Sequence, residues 1–258
     1  MSERAAFVSA ILDNPADDTV RLVFADWLEE HGEPERAEFI RCQIEAANLP
    51  ALQRAKSKPH KRAKALLRKY DQAWRTALGL PSAEGESEGK YERGFLAGDT
   101  IAIHKFEKLA ASVLALEPAQ FTLELCWSLD DNVSTSIPLK WVEGFAKNPL
   151  LRAVTKITSQ TGYFGAERFV RLMKSPHLTN LREIEIFEDY IGAAGVKAIA
   201  NAPAVFKLIS LDLDGALPLG SRGETKSAVD AVKLLATASP FASLNYLGLN
   251  NNNDPREG

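Results

Sequence analysis

Residues 181–214 read LREIEIFEDYIGAAGVKAIANAPAVFKLISLDLD, and this stretch contains one complete sequence repeat and the start of the next. Leu181, Ile184 and Ile186 follow the pattern L-x-x-L-x-L, which returns at a constant offset at positions 208, 211 and 213. The residues between the two patterns have the apolar spacing of a helix. The stretch therefore predicts a short strand, a turn, a helix and a return to the next strand.

The same frame extends in both directions along the chain. Val154 and Ile157 precede Leu181 and Ile184 by the same offset, and the pattern recurs after a longer interval at positions 244, 247 and 249. Prolines keep a similar period, since they recur at positions 149, 176, 203 and 240. This signature resembles that of the longer leucine-rich repeats. It predicts an α/β fold, a leucine-rich-repeat-like solenoid with parallel strands on the concave face and helices on the convex face.

Composition places the chain among ordinary globular proteins. It has 258 residues, a hydrophobic content of 45% and a formal net charge of -3, which favours neither a general nucleic-acid binder nor a disordered acidic protein. The two cysteines show no motif spacing, which argues against a disulfide framework or a thiolate zinc site. We find neither a signal peptide pattern nor a run of about 20 apolar residues that would span a membrane. The expectation is a soluble, cytoplasmic protein without a cofactor.

Residues 5–48 predict three short amphipathic helices. The apolar residues of each helix recur at spacings of three and four. Stop signals separate the helices, because Asn14-Pro15 ends the first and His31-Gly32 ends the second. Trp27 lies in the middle of the second apolar stripe, so we expect it in a core that the three helices share.

Residues 17–43 read DDTVRLVFADWLEEHGEPERAEFIRCQ, and this stretch resembles the bacterial repeat-companion domain. The segments that carry the resemblance are Asp18-Thr19, Arg21-Leu22, Ala25 to Glu30, Gly32, Arg36 and Glu38 to Arg41. The chain departs from the family at Ala37, where glycine is common. In its family this small helical module precedes leucine-rich-like repeats. The resemblance therefore implies an architecture and a bacterial setting, and it implies no activity.

Two domains follow from these observations. Residues 1–80 are predicted to form an all-α N-terminal cap, and residues 90–258 are predicted to form the solenoid. The segment between them, SAEGESEG at residues 82–89, is acidic and rich in glycine, as expected for an exposed linker. After the last repeat the sequence offers no closing helix, so the final strand is expected to remain an edge or to be covered by a partner or a second copy.

The segment from Arg54 to Arg75 is strongly basic, with nine cations against one acid, Asp71. Its second half carries an apolar stripe and is predicted to be an amphipathic helix. With Tyr70 and Trp74 nearby, such a segment can hold phosphates and stack bases, as in a nucleic-acid-associated protein. The alternative is a solvated helix that pairs with acidic neighbours and keeps both aromatic residues in the core.

The repeat register predicts which side chains face the concave side of the sheet, because alternate residues of a strand point to opposite faces. These positions hold five carboxylates, one lysine and two aromatic residues. The predicted partner-binding residues are Glu124, Glu183, Glu185, Phe187, Asp212, Asp214 and Tyr246. An acidic sheet with aromatic anchors is typical of a protein-binding solenoid face and predicts a partner with a basic or mixed surface. The alternative is a solvated face whose acids keep the sheet soluble.

The same reading argues against an enzyme. The four histidines are scattered along the chain, and the sequence contains neither H-E-x-x-H, nor a P-loop, nor G-x-G-x-x-G. Carboxylates on neighbouring parallel strands stand side by side rather than around a cavity, so no acid–base pair or metal site is predicted. We expect a non-enzymatic protein-interaction scaffold that uses the concave sheet and an inserted loop at residues 215–226.

Overall fold

The computed structural model of the chain describes residues 2–80, 91–126, 137–159, 164–187, 189–204, 208–217, 225–238 and 241–250. The chain divides into two compact units. The first comprises Met1–Asp99 and Lys108–Phe121, and the second comprises Thr100–Glu107 and Thr122–Gly258. The predicted linker at residues 82–89 lies outside the described residues, as do residues 218–224 of the predicted 215–226 loop.

Residues 2–80 are all described, and they form five helices. These are α1 (Glu3–Asp13), α2 (Asp18–Glu30), α3 (Pro34–Ala47), α4 (Ala51–Arg54) and α5 (Lys58–Ala77). The first three confirm the predicted short helices. Asp17 caps α2, because its side chain accepts the backbone N–H of Thr19 at 2.8 Å. Phe24 and Ile40 are fully buried where α2 and α3 pack together, and Trp27 is half-buried against them.

Helix α5 confirms the amphipathic pattern of the basic segment. Leu66 and Leu67 are buried and pack in one cluster with Phe39 of α3. Trp74 contacts the same cluster, and its ring centroid lies 5.1 Å from that of Phe39. The basic residues therefore belong to a helix with a buried apolar side.

The first two strands form a hairpin. Strands β1 (Tyr91–Glu92) and β2 (Phe95–Ala102) are antiparallel. They are joined by Arg93 and Gly94, whose φ angles are 50° and 94°. Two consecutive residues with positive φ match a tight primed turn, whose twist fits an antiparallel pair. Residue 94 also touches the backbone of Ile40, because a Cβ built on Gly94 would lie 2.7 Å from the Ile40 Cα.

We expect Gly94→Ala to lower the free energy of unfolding by about 2–3 kcal/mol. The alanine would have to adopt a left-handed backbone conformation, and its methyl group would clash with the buried Ile40 of α3. Gly79→Ala is the matched control, since Gly79 also has positive φ (72°) but has open space where the methyl group would sit. The control should lose only about 1 kcal/mol. Urea denaturation followed by circular dichroism measures both, and equal losses would contradict the prediction.

The rest of the described chain alternates helices and strands. The elements are α6 (Ile103–Leu114), β3 (Gln120–Glu124), α7 (Leu139–Phe145), a 3-10 helix (Pro149–Ala153), β4 (Val154–Ser159), α8 (Gly165–Leu172), β5 (Glu183–Ile186), α9 (Gly192–Ala200), β6 (Ser210–Asp212), α10 (Thr225–Thr237) and β7 (Tyr246–Gly248). The described strands form one open, mostly parallel sheet in the order β1 to β7. The predicted α/β class is confirmed at this level. None of the described helices has the length and apolar character needed to cross a membrane.

The period of the sequence repeat reappears as the register of the sheet. Ile157 of β4 pairs with Ile184 of β5, which pairs with Leu211 of β6, and all three side chains are fully buried. Leu247 of β7 continues this line but remains 43% exposed. The apolar repeat positions therefore form one side of the sheet, and the residues between them occupy the opposite side.

Candidate functional site

The side of β4 to β7 opposite Ile157, Ile184 and Leu211 is polar, and we call it the polar sheet face. Parallel pairing arranges its residues in two rows across the four strands. The first row is Lys156, Glu183, Ser210 and Tyr246. The second row is Thr158, Glu185, Asp212 and Gly248. The rows hold four of the seven residues predicted to bind a partner.

The β4–β5 side of this face carries its own cation. Lys156 Nζ lies 2.6 Å from Glu185 Oε1 and 3.8 Å from Glu183 Oε2. The closer contact runs diagonally, because Lys156 belongs to the first row and Glu185 to the second. All three side chains are partly exposed, so the pairs lie near solvent and stabilise the fold little.

Asp212 is more enclosed than its predicted place on an open face suggests, since only 9% of the residue is exposed. The Tyr246 hydroxyl donates to Asp212 Oδ2 at 3.2 Å, and the backbone N–H of Asp214 donates to Oδ1 at 3.3 Å. The carboxylate also lies directly against Gly248, where a Cβ atom would come within 2.2 Å of Oδ1. A larger residue at position 248 would displace Asp212 from the face.

The surroundings of Asp212 also disfavour the negative charge of its carboxylate. Burial, and then the negative charge of Asp214, raise the pKa of the Asp212 carboxyl group above its ordinary value. Hydrogen bonding to Asp212 raises the pKa of Tyr246 in turn. The enclosure of Asp212 and the neighbouring charge of Asp214 therefore both disfavour the ionised form of its carboxyl group.

The other three predicted binding residues lie at strand ends. Glu124 is the last residue of β3 and is half-buried. Phe187 follows β5 and is also half-buried. Asp214 follows β6 and is tied to the next repeat, because its carboxylate accepts the backbone N–H of Asn250 at 2.7 Å and the side-chain amide of Asn250 at 3.2 Å.

Thr158 is a further feature of this face that the sequence did not reveal. It is only 6% exposed, and its Oγ1 has no hydrogen-bond partner among the described residues. It pairs in register with Glu185. Threonine on a strand is ordinary, so the sequence gives no signal that this hydroxyl is enclosed and unpaired.

In the basic segment, several residues have structural partners. The guanidinium of Arg62 forms two hydrogen bonds of 2.7 Å with the carboxylate of Glu38. Arg75 is buried and lies 2.8 Å from Asp99. Of the two aromatic residues, Tyr70 donates to Glu35 at 3.1 Å, and Trp74 packs on the Phe39 cluster. Lys58, Lys61 and Lys64 remain exposed along α5.

Charged residues of the companion-like motif form contacts with other residues of the N-terminal helices. Arg41 contacts Asp26 and Glu29, both at 2.6 Å. Arg21 is 4% exposed and donates to the backbone carbonyl of Asp17 at 2.9 Å. Burial lowers the pKa of the Arg21 guanidinium. These ion pairs and hydrogen bonds give Arg21 and Arg41 structural roles within the helices. The polar sheet face therefore remains the candidate site.

Comparison of the chain with models of known protein families, with curated proteins and with solved structures gives no match.

Proposed function

We propose that the chain is a non-enzymatic protein-interaction module. In this proposal the parallel units form a leucine-rich-repeat-like solenoid, and the N-terminal helices form a cap of the repeat-companion type in a cytoplasmic bacterial protein. The partner carries a basic or mixed surface. It binds the polar sheet face, taken as the concave side, together with the 215–226 loop.

The unbalanced charge of the polar sheet face carries this proposal. The five predicted carboxylates include Glu183 and Glu185, which share one cation, Lys156. No cation forms an ion pair with Asp212 or Asp214 within the described part of the chain. A surface with excess negative charge attracts and orients a basic partner.

Aromatic residues support the same proposal. Tyr246 is 50% exposed beside the enclosed Asp212, and Phe187 is half-buried in the same part of the second unit. Tyrosine is enriched in interface hot spots because its ring supplies contact area while its hydroxyl remains hydrogen-bonded. The combination favours recognition over a merely solvated face.

The test is a charge-neutral triple variant, Glu124→Gln, Glu183→Gln and Glu185→Gln, used with the wild type to capture proteins from a bacterial lysate. We expect proteins that bind the wild type to be retained at least about tenfold less by this variant, because it removes two charges of the polar sheet face and the predicted binding charge of Glu124 at the end of β3. The control is Glu30→Gln, Glu45→Gln and Glu107→Gln, which removes three exposed charges elsewhere. Equal retention by both triple variants would exclude the face as the binding site.

A second candidate function is association with nucleic acid through residues 54–75. The exposed Lys58, Lys61 and Lys64 on α5 favour it, because lysines on one side of a helix can track a phosphate backbone. Nuclease treatment of the lysate separates the two functions. Capture that is lost with nuclease and with Lys58→Gln, Lys61→Gln and Lys64→Gln, but kept by the glutamate variant, would identify α5 as the site.

A further inference from the structure

We propose that residues 51–64 dock on the surface of an anionic lipid bilayer, with Leu52 entering the bilayer and four exposed lysines contacting the lipid headgroups. These lysines, which we call the lysine patch, are Lys56, Lys58, Lys61 and Lys64. The inference concerns the first unit, and it goes beyond the proposed function because it does not use the polar sheet face. Two observations support it, namely the exposure of Leu52 and the excess of positive charge in the segment that follows it.

Leu52 lies almost entirely in solvent. It is 94% exposed, and it belongs to α4, a short helix that buries none of its residues. Removing a leucine side chain from water is worth at least about tenfold in a partition coefficient. A single exposed apolar residue is ordinary on a protein surface, so the neighbours of Leu52 determine which kind of partner can bury it.

The sequence neighbours of Leu52 are cationic. No acidic residue occurs between Glu45 and Asp71, and none of the four lysines of the patch forms an ion pair within the described part of the chain. By contrast, the nearby Arg62 is neutralised by Glu38 through two hydrogen bonds of 2.7 Å. Because the net charge of the whole chain is -3, the positive excess is local. An anionic bilayer attracts such a cluster, by about fivefold in affinity for each lysine near its surface.

Hydrogen bonds hold Leu52 and the first lysines of the patch on one ordered backbone. The Arg54 guanidinium donates to the backbone carbonyl of Ala47 at 3.0 Å, which attaches α4 to the end of α3. The Ser57 hydroxyl donates to the carbonyl of Arg54 at 2.7 Å, and its oxygen accepts the backbone N–H of His60 at 3.3 Å as the cap of α5. The leucine and the lysines are therefore positioned before binding, so little backbone entropy is lost when they dock.

A bilayer accounts for these features better than a nucleic acid does. Nucleic acids bind lysines through phosphate groups, and binders of single strands add aromatic rings on which the bases stack. Here Tyr70 and Trp74 both pack against the Phe39 cluster, so these rings contribute to the core rather than to a stacking surface. A bilayer uses both parts of the segment, because its headgroups bind the ammonium groups while its hydrocarbon region takes up Leu52.

Co-sedimentation of the full chain with lipid vesicles tests the inference. The anionic vesicles contain phosphatidylcholine and about 30% phosphatidylglycerol, the reference vesicles contain phosphatidylcholine alone, and the salt concentration is about 0.1 M. We expect the wild type to bind the anionic vesicles at least about tenfold more tightly than the reference vesicles. Leu52→Gln should weaken this binding about tenfold. Leu52→Trp should keep the binding and add tryptophan fluorescence that shifts to shorter wavelengths when anionic vesicles are present.

Replacing the whole lysine patch with glutamine should weaken binding to the anionic vesicles at least about fiftyfold. The matched control replaces four exposed lysines elsewhere with glutamine and should keep the affinity within about twofold of the wild type. The control lysines are Lys108, Lys147, Lys174 and Lys197. All of these variants change exposed side chains only, so their urea midpoints should equal that of the wild type, and a loss of binding is then not a folding defect.

Equal binding to both kinds of vesicle, or no binding to the anionic vesicles, would overturn the inference. It also fails if Leu52→Gln binds the anionic vesicles as tightly as the wild type, since charge alone then explains the attraction. A DNA duplex of about 20 base pairs is the competing probe. If the wild type and Leu52→Gln bind this duplex equally and neither binds vesicles, the lysine patch belongs to the second candidate function. Capture of proteins by the polar sheet face depends on none of these results, so the proposed function and this inference are tested separately.

Discussion

Replacing Glu117 with alanine is expected to lower the free energy of unfolding by about 3–5 kcal/mol, because the change leaves the guanidinium of Arg36 buried without its counter-charge. Glu117 Oε2 accepts from Arg36 Nη2 at 2.7 Å and from Nε at 3.1 Å. The two residues are 7% and 4% exposed. Bulk solvent therefore does not screen this pair in the native structure. Urea denaturation followed by circular dichroism measures the loss.

Four aromatic rings surround the guanidinium group of Arg36 and separate it from solvent. Its guanidinium carbon lies 4.8 Å from the centroid of Trp74 and between 5.5 and 5.6 Å from those of Phe39, Tyr91 and Phe95. Such rings attract a cation through their faces. They do not supply the in-plane acceptors that the guanidinium N–H groups need.

The matched control is Arg41→Ala, which breaks an exposed pair of contacts to Asp26 and Glu29 and should change stability by about 1 kcal/mol or less. A double variant tests the cause. Burial raises the pKa of Glu117 even though Arg36 opposes the rise, so the charged pair is expensive to bury. Arg36→Met with Glu117→Leu should therefore recover more than half of the loss. A double variant as unstable as Glu117→Ala would show that packing, rather than the isolated charge, causes the loss.

The sheet register could be predicted from the sequence because it depends on a pattern that the chain repeats. Ile157, Ile184 and Leu211 are evenly spaced along the chain, and each is fully buried at equivalent positions of adjacent strands. A slip by a single position would expose every apolar side chain, so the pattern specifies the pairing. The polar residues between them follow from alternation alone.

The hairpin at the start of the sheet could not be predicted in the same way. The turn residues Arg93 and Gly94 do not form the Asn-Gly or Asp-Gly pair that usually indicates a tight primed turn. The positive φ of Gly94 is accompanied by its close contact with Ile40, which lies far earlier in the sequence. The turn is determined by contacts between residues that are distant in the sequence. The spacing of apolar residues along one sequence does not indicate such contacts.

The candidate site could likewise be predicted only in part. Alternation placed Glu183, Glu185 and Asp212 on one face, but it could not show that Lys156 contacts two of these carboxylates or that Asp212 is enclosed. Enclosure depends on Gly248 and Tyr246, which come from the next repeat. Whether a polar side chain is paired is a property of the assembled sheet, and Thr158 is the clearest case.

Asp189→Ala is expected to lower the free energy of unfolding by about 3–4 kcal/mol, since it removes the acceptor for three hydrogen bonds in a site that is 1% exposed. The Ser159 hydroxyl donates to Asp189 Oδ2 at 2.6 Å, and the backbone N–H groups of Phe164 and Gly165 donate to the carboxylate at 3.2 and 2.7 Å. Without the carboxylate, two backbone donors at the start of α8 and one hydroxyl remain buried and unpaired.

The carboxylate of Asp189 also joins consecutive repeats, because it follows β5 and binds the end of β4 and the beginning of α8. A negative charge at a helix N-terminus is favoured by the helix dipole, which adds to the hydrogen bonds. Asp189→Asn keeps one acceptor oxygen but loses the charge and places an amide group among donors, so it should lose about 2 kcal/mol.

The control for Asp189 is Asn148→Ala, which removes a single-bond cap, the acceptor for the Leu150 N–H at 2.9 Å, and should lose about 1 kcal/mol. Urea denaturation should therefore give the largest loss for Asp189→Ala, a smaller one for Asp189→Asn and the smallest for Asn148→Ala. Hydrogen exchange of the Gly165 amide gives a local measure, because this N–H loses its acceptor in Asp189→Ala and keeps it in Asn148→Ala. If Asp189→Ala is no less stable than Asn148→Ala, water or a shifted loop satisfies these donors, and the link between repeats depends on apolar packing alone.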